Sequence, residues 1–148
     1  MNVEEVHILL VEDDPNDAFL ILRTLREKKL AKNIIHVSDG QEALDYLNAE
    51  GKYSGRDVLN LPKIILLDLK MPKLDGHQVL ASIRACEGTK LVPVVILTSS
   101  AEQSDISLSY KLGANSFIVK PVDFDKFTEN INQLGLYWLA LNKTPRTQ

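Results

Sequence analysis

The chain has 148 residues, a net charge of −3 and 25% charged residues, the make-up of one soluble globular domain with a core of useful size. Its basic residues are scattered, which excludes a nucleic-acid-binding stripe, and the apolar run near the N-terminus (Val6 to Val11) is too short for a secretory or membrane-inserting segment. Cys86 is the single cysteine, so an intrachain disulfide framework is excluded and a cytoplasmic location is expected, with Cys86 a passive helix residue.

Val6 to Val11 reads as a first strand, ended by Glu12-Asp13-Asp14-Pro15. Asp14 suits an N-cap and Pro15 a first helical position, and Ala18, Phe19, Leu22 and Leu25 give the following helix one apolar face through Glu27. Ile34 to Val37 is a short second strand, after which Ser38 or Asp39 caps a helix carrying Ala43, Leu44 and Leu47. Residues 49–61 hold two glycines and no clear period, and predict an extended loop with a short turn near Asp57. Such a loop is either a recognition element or a neutral surface insertion.

Lys63 to Leu67 is a third strand, a continuous apolar run that stops at Asp68. Gly76 to Ala85 predicts a helix with Val79, Leu80 and Ile83 inward. Pro93 to Leu97 is a fourth strand ended by Thr98-Ser99-Ser100, and Glu102 to Leu112 a helix stopped by Gly113. Ser116 to Val119 is a fifth strand ended by Lys120-Pro121, and Asp123 caps a last helix. Strict alternation of strand and helix predicts an α/β fold: a doubly wound five-stranded parallel sheet with helices on both faces.

In such a sheet all strand C-termini lie along one edge, where α/β proteins place their working sites. Glu12, Asp13 and Asp14, then Asp68, Thr98 and Lys120 all reach that edge. Carboxylates gathered there repel one another unless a cation joins them. Mg²⁺, which takes oxygen ligands and keeps several waters, suits two carboxylates and a carbonyl. With Lys120 it would keep Asp68 ionised and neutralise an incoming phosphoryl group, to which Thr98 offers a hydroxyl. The scattered His7, His36 and His77 have no ligand spacing and are read as neither metal ligands nor bases.

LLVEDDP at 9–15, LLDLKMPKLDG at 66–76, VVILTSS at 94–100 and FIVKP at 117–121 resemble, in order and position, the receiver domain of two-component response regulators. The resemblance runs from Val6 to about Leu134 and implies the flavodoxin-like strand order 2-1-3-4-5. It implies that Asp68 accepts a phosphoryl group from the phosphohistidine of a histidine kinase. Glu12, Asp13, Asp68 and the main-chain carbonyl of Lys70 are the implied Mg²⁺ site, with Asp13 a direct ligand and Glu12 acting through water. Thr98 is the implied switch hydroxyl, Phe117 the rotating aromatic, and Lys120 the phosphoryl-contacting lysine, followed by a Lys-Pro step that is often cis in the family. Lys70 and Ser100 fall where the family tunes its self-dephosphorylation. The chain is thus expected to be a phosphate-accepting signalling module rather than a dedicated enzyme.

More narrowly, the 49–61 loop, SYKLGANSFIVKPVDFDKF and NQLGLYWLALNKTP are similar to the single-domain partners of cyanobacterial phytochromes, which implies a phytochrome-type histidine kinase as partner. The expected organisation is one receiver domain over 1–148, with a core of about 6–134, a C-terminal helical extension over 135–148, and no output domain. Phe124, Phe127, Ile131, Leu134, Trp138 and Leu141 recur at spacings of 3, 4, 3, 4, 3, a seam running past what the domain core needs. With Leu136, Tyr137 and Leu139 on other faces, it predicts a homodimer through the fourth helix, fifth strand, fifth helix and tail. Phe127, Ile131, Leu136, Tyr137, Trp138 and Leu139 are the interface candidates. The same segment folding back on its own domain is the simpler alternative, and Gly135 could kink the helix.

Two other functions remain in view. An aspartate-based phosphatase would need a second acid two residues after Asp68, where Lys70 stands instead. A pseudo-receiver that binds partners without phosphate is disfavoured by the complete set of acids with Thr98 and Lys120.

Overall fold

A computed structural model describes residues 5–145. Its strands are β1 (Ile8–Val11), β2 (Ile34–Val37), β3 (Ile64–Leu67), β4 (Val94–Thr98) and β5 (Ser116–Val119). They form one parallel sheet in the order β2-β1-β3-β4-β5. The helices are α1 (Pro15–Glu27), α2 (Gly40–Asn48), α3 (Gly76–Ala85), α4 (Gln103–Lys111) and α5 (Phe124–Gly135), the last continued by a π-helical stretch, Leu136–Leu141. Among the described residues no helix is long and apolar enough to cross a membrane.

The register explains why the central strands are apolar throughout. Ile8 lies opposite Ile64 and Leu9 opposite Ile65, so successive residues feed opposite faces of the sheet. Leu9, Val11, Ile65, Leu67, Val94 and Ile96 pack with Ala43, Leu47, Val79 and Ile83 of α2 and α3. Ile8, Leu10, Ile64, Leu66, Val95 and Leu97 pack with Ile21 and Leu25 of α1 and with Phe127, Ile131 and Leu134 of α5. A strand covered on both sides has no polar face to show.

The α1 face is rotated from the expected one: Ala18, Ile21 and Leu25 are buried, while Phe19 is exposed. Ala18, Ile21 and Leu25 follow the 3–4 spacing of one helical face, and Phe19 steps off it by 100°. All peptide bonds among the described residues are trans, Lys120–Pro121 included.

The long loop is built rather than loose. A short 3₁₀ turn, Gly51–Tyr53, follows α2, and Asn60 N–H donates to Asp57 O at 3.0 Å, placing a turn at Asp57. Arg56 lies over the Tyr46 ring at 3.8 Å and donates to the carbonyls of Tyr46 and Asn60, while Tyr53 Oη donates to Glu42 at 2.7 Å.

The C-terminal seam divides. Phe127 and Ile131, expected at a dimer interface, are only 5% and 1% exposed and form the core contact of α5 with the sheet, so they cannot meet a partner. Their 3–4 spacing is that of an amphipathic helix docking on its own domain, which a coiled-coil seam mimics over two turns. Trp138 and Leu139 also pack, half-buried, against this core, whereas Leu136 and Tyr137 are exposed. Gly135 does not break the helix. It lets α5 approach α1, because a Cβ there would lie 2.7 Å from Leu30 Cδ1 and 2.9 Å from Leu25 Cδ2.

Candidate functional site

The C-terminal edge of the sheet brings together the ends of β1, β3, β4 and β5. After Val11 the chain remains tied to the sheet for one more residue, Glu12 N–H donating to Val37 O at 3.1 Å. Asp14 caps α1: its Oδ1 accepts from Asn16 N–H at 2.9 Å and Asp17 N–H at 3.3 Å, and Pro15 stands at a first-turn position needing no donor. Asp13 is left at the exposed mouth, while Glu12 turns inward and is 2% exposed.

Asp68 N–H donates to Val11 O at 3.1 Å, and its Oδ1 accepts from Leu69 N–H at 2.7 Å. The start of α3 closes over it. A Cβ on Gly76 would sit 2.3 Å from Asp68 O, so only glycine lets Asp75, the N-cap of α3, come this near. The oxygens of Glu12, Asp13 and Asp68 fall within 4.8 Å of one another, a carboxylate set able to hold a divalent cation.

Lys120 enters from β5. Its backbone N–H donates to Thr98 O at 2.7 Å, which fixes the strand end beside the buried Thr98. Its ammonium lies 2.6 Å from Glu12 Oε1, 2.9 Å from Asp17 Oδ2 and 3.2 Å from Asp68 Oδ2. Burial works against the Lys120 charge, but hydrogen bonds to Asp17 and Glu12 and the charge of Asp68 outweigh it and hold its pKa above the ordinary lysine value. Burial pushes the Glu12 carboxyl up to about 8, against the pull of its Lys120 hydrogen bond and with the help of the Asp68 charge. Glu12 thus resists ionising mainly because it is buried, with the Asp68 charge adding to the effect.

Thr98 Oγ1 accepts from Ser100 N–H at 3.4 Å, and Ser100 Oγ donates to Asp105 Oδ2 at 2.6 Å, tying the end of β4 to the first turn of α4. Phe117 pairs with Ile96, two residues from Thr98 on the same strand face, and packs half-buried against the α2/α3 side of the core. Lys70 is exposed in the turn after Asp68.

The sequence reading missed two contributors. Asp17 is the acid in the first turn of α1, three residues after the Asp14 cap, and its carboxylate reaches the same edge, 2.9 Å from the Lys120 ammonium. His36 Nε2 lies 2.9 Å from Glu12 O and steadies the acidic turn from β2, although no ligand spacing marks it. His77 makes a similar structural contact, to Ser109 Oγ at 2.9 Å.

The model of the response regulator receiver domain matches residues 8–132. The chain is 40% identical over 139 residues to the "Probable methanogenesis regulatory protein FilR2" of Methanothrix harundinacea, covering 93% of this chain and 86% of that one. It is 34% identical over 138 residues to the response regulator Rcp1 of Synechocystis, covering 93% and 92%. The crystal structure of Mn²⁺-bound Rcp1 superposes with a TM-score of 0.88 at 33% identity over 96% of this chain and 99% of that one. That of the phosphorylated cyanobacterial phytochrome response regulator RcpA superposes with a TM-score of 0.89 at 35% identity over 96% and 99%. Sheet order, strand-edge acids and lysine, and near full-length similarity converge on one assignment: the chain belongs to the response regulator receiver family.

Proposed function

We propose that the chain is a phosphorelay response regulator that accepts a phosphoryl group on Asp68 from a histidine kinase of phytochrome type. The observation that carries this reading is the Lys120 ammonium, buried at 7% side-chain exposure, 3.2 Å from the Asp68 carboxylate and main-chain bonded to Thr98. Asp68 Oδ2 would attack phosphorus as the P–N bond of the phosphohistidine breaks, giving an acyl phosphate and returning the imidazole to the kinase. Lys120 would turn its N–H groups toward the phosphoryl oxygens, and the Thr98 hydroxyl would donate to one of them. Glu12 and Asp13, with Asp68 and the Lys70 carbonyl, would hold Mg²⁺, whose positive charge offsets the crowded oxygens. Similarity to a Mn²⁺-bound relative and the clustered carboxylates support this choice.

The output is a change of surface. Thr98 and Phe117 share a sheet face, so a Thr98 drawn toward phosphate leaves room that Phe117 can fill. Leu108, Tyr110 and Val119 are exposed on α4 and β5, and Leu136 and Tyr137 beyond α5. We assign the homodimer contact to this side of the domain together with the exposed part of the tail.

The test is incubation with acetyl phosphate and Mg²⁺ followed by intact-mass measurement. A phosphate-sized gain that disappears in Asp68→Asn is expected. No gain, or a gain that survives the substitution, contradicts the reading.

A further inference from the structure

Lys120 is held by three carboxylates rather than two. Its contact with Asp17, 2.9 Å, is shorter than that with the phosphoacceptor candidate Asp68, 3.2 Å, and longer than that with Glu12, 2.6 Å. An ammonium has three donor hydrogens, so these acceptors use them all. Asp17 differs from the other two. It lies on the first turn of α1, where the helix dipole favours a negative charge, and it is outside the Glu12–Asp13–Asp68 group. Its side chain is 27% exposed, against 2% for Glu12 and 10% for Asp68.

The hydrogen Lys120 gives Asp68 Oδ2 can pass to the phosphoryl group formed on that oxygen; for the ammonium to move further toward the group and donate a second hydrogen, Glu12 or Asp17 must also be given up. Releasing Glu12 would strip a buried carboxyl of its 2.6 Å hydrogen bond, which is costly. Releasing Asp17 returns a partly solvated carboxylate to water at little cost. We propose that Asp17 is a positioning residue acting through Lys120: it holds the ammonium on the α1 side of the site and competes for it with the arriving phosphoryl group. Asp17 then sets the balance between the resting and phosphoryl-bound arrangements without touching either metal or phosphate. The inference rests on Asp68 being the phosphoacceptor.

The test uses beryllofluoride, a tetrahedral anionic phosphoryl mimic, added to the full chain in saturating Mg²⁺ and followed by fluorine NMR. Asp17→Asn and, independently, Asp17→Ser are expected to bind it on the order of two- to fivefold more tightly, as fits the loss of one partly exposed ion pair. Asp17→Glu, which restores the acceptor, returns binding toward the wild-type value. The gain persists at about 0.5 M salt, where a through-solvent field effect would be screened. Equal or weaker binding by the Asn and Ser variants, with normal binding by the wild type, overturns the role of Asp17. A wild-type chain that binds no beryllofluoride overturns instead the phosphoacceptor reading beneath it.

Discussion

Lys120 lies 2.6 Å from Glu12, a residue 108 positions away in the chain. Parallel strands bring the two together, since β1 and β5 end on the same edge of the sheet. Burial of the Glu12 carboxyl is the main reason it holds its proton to higher pH than usual; the Asp68 charge adds to this and the Lys120 hydrogen bond opposes it.

The folded chain retains the Glu12 proton up to about pH 8, whereas an unperturbed glutamate loses it near 4.5. Between those values the folded state binds more protons than the unfolded one, so this contribution to stability falls as pH rises and is lost above about 8. A divalent cation held by Glu12, Asp13 and Asp68 would take the place of the proton. The rise in melting temperature on adding Mg²⁺ is therefore expected to be small near pH 6 and larger near pH 9, and Glu12→Gln flattens the trend. Calorimetry with and without Mg²⁺ across this range checks it, and a Mg²⁺ effect independent of pH speaks against the assignment.

Thr98 is wholly buried, with its hydroxyl tied to Ser100 N–H at the approach to α4. Thr98→Ala is expected to keep the phosphate-sized mass gain at Asp68 while losing the response at α4 and β5. Hydrogen exchange of these elements before and after acetyl phosphate separates acceptance from switching. A wild-type exchange response in the variant would remove Thr98 from the switch.

The two halves of the C-terminal segment predict opposite phenotypes. Ile131→Ala empties a site 1% exposed and should lower unfolding free energy by about 2–5 kcal/mol. Tyr137→Ala alters an exposed ring and should leave stability within about 0.5 kcal/mol while weakening self-association. Denaturant unfolding and sedimentation measured on both variants decide this, and unchanged association in Tyr137→Ala would take the tail out of the interface.

Arg56 fastens the 49–61 loop by stacking on Tyr46 and donating to two carbonyls. Arg56→Ala should raise amide exchange through residues 52–60 and cost about 1–2 kcal/mol. Phosphate uptake on Asp68 should be unaffected. Slower uptake would tie the loop to the site.

The fold was legible because solid apolar strands alternate with capped helices. Asp14-Pro15, Asp39 and Asp123 mark helix starts within a residue of where they occur. That Glu12, Asp68 and Lys120 would meet at one sheet edge was legible too, because parallel strands share one polarity. Asp17 was not, since a first-turn acid normally serves the helix dipole and only the reach of Lys120 shows otherwise. The dimer seam misled for a physical reason: Phe127, Ile131 and Leu134 have the spacing that either a partner or the domain's own sheet could bury. Phe19 misled because the sequence cannot tell which of two adjacent helical stripes meets the sheet.

Asp68 is the residue proposed to carry phosphate. Borohydride reduces an aspartyl phosphate to homoserine, so trapping after acetyl phosphate and Mg²⁺, followed by peptide mass mapping, locates the acceptor directly. Homoserine at position 68 alone is the predicted result. Homoserine at position 12, 13 or 17, or at none, would contradict it.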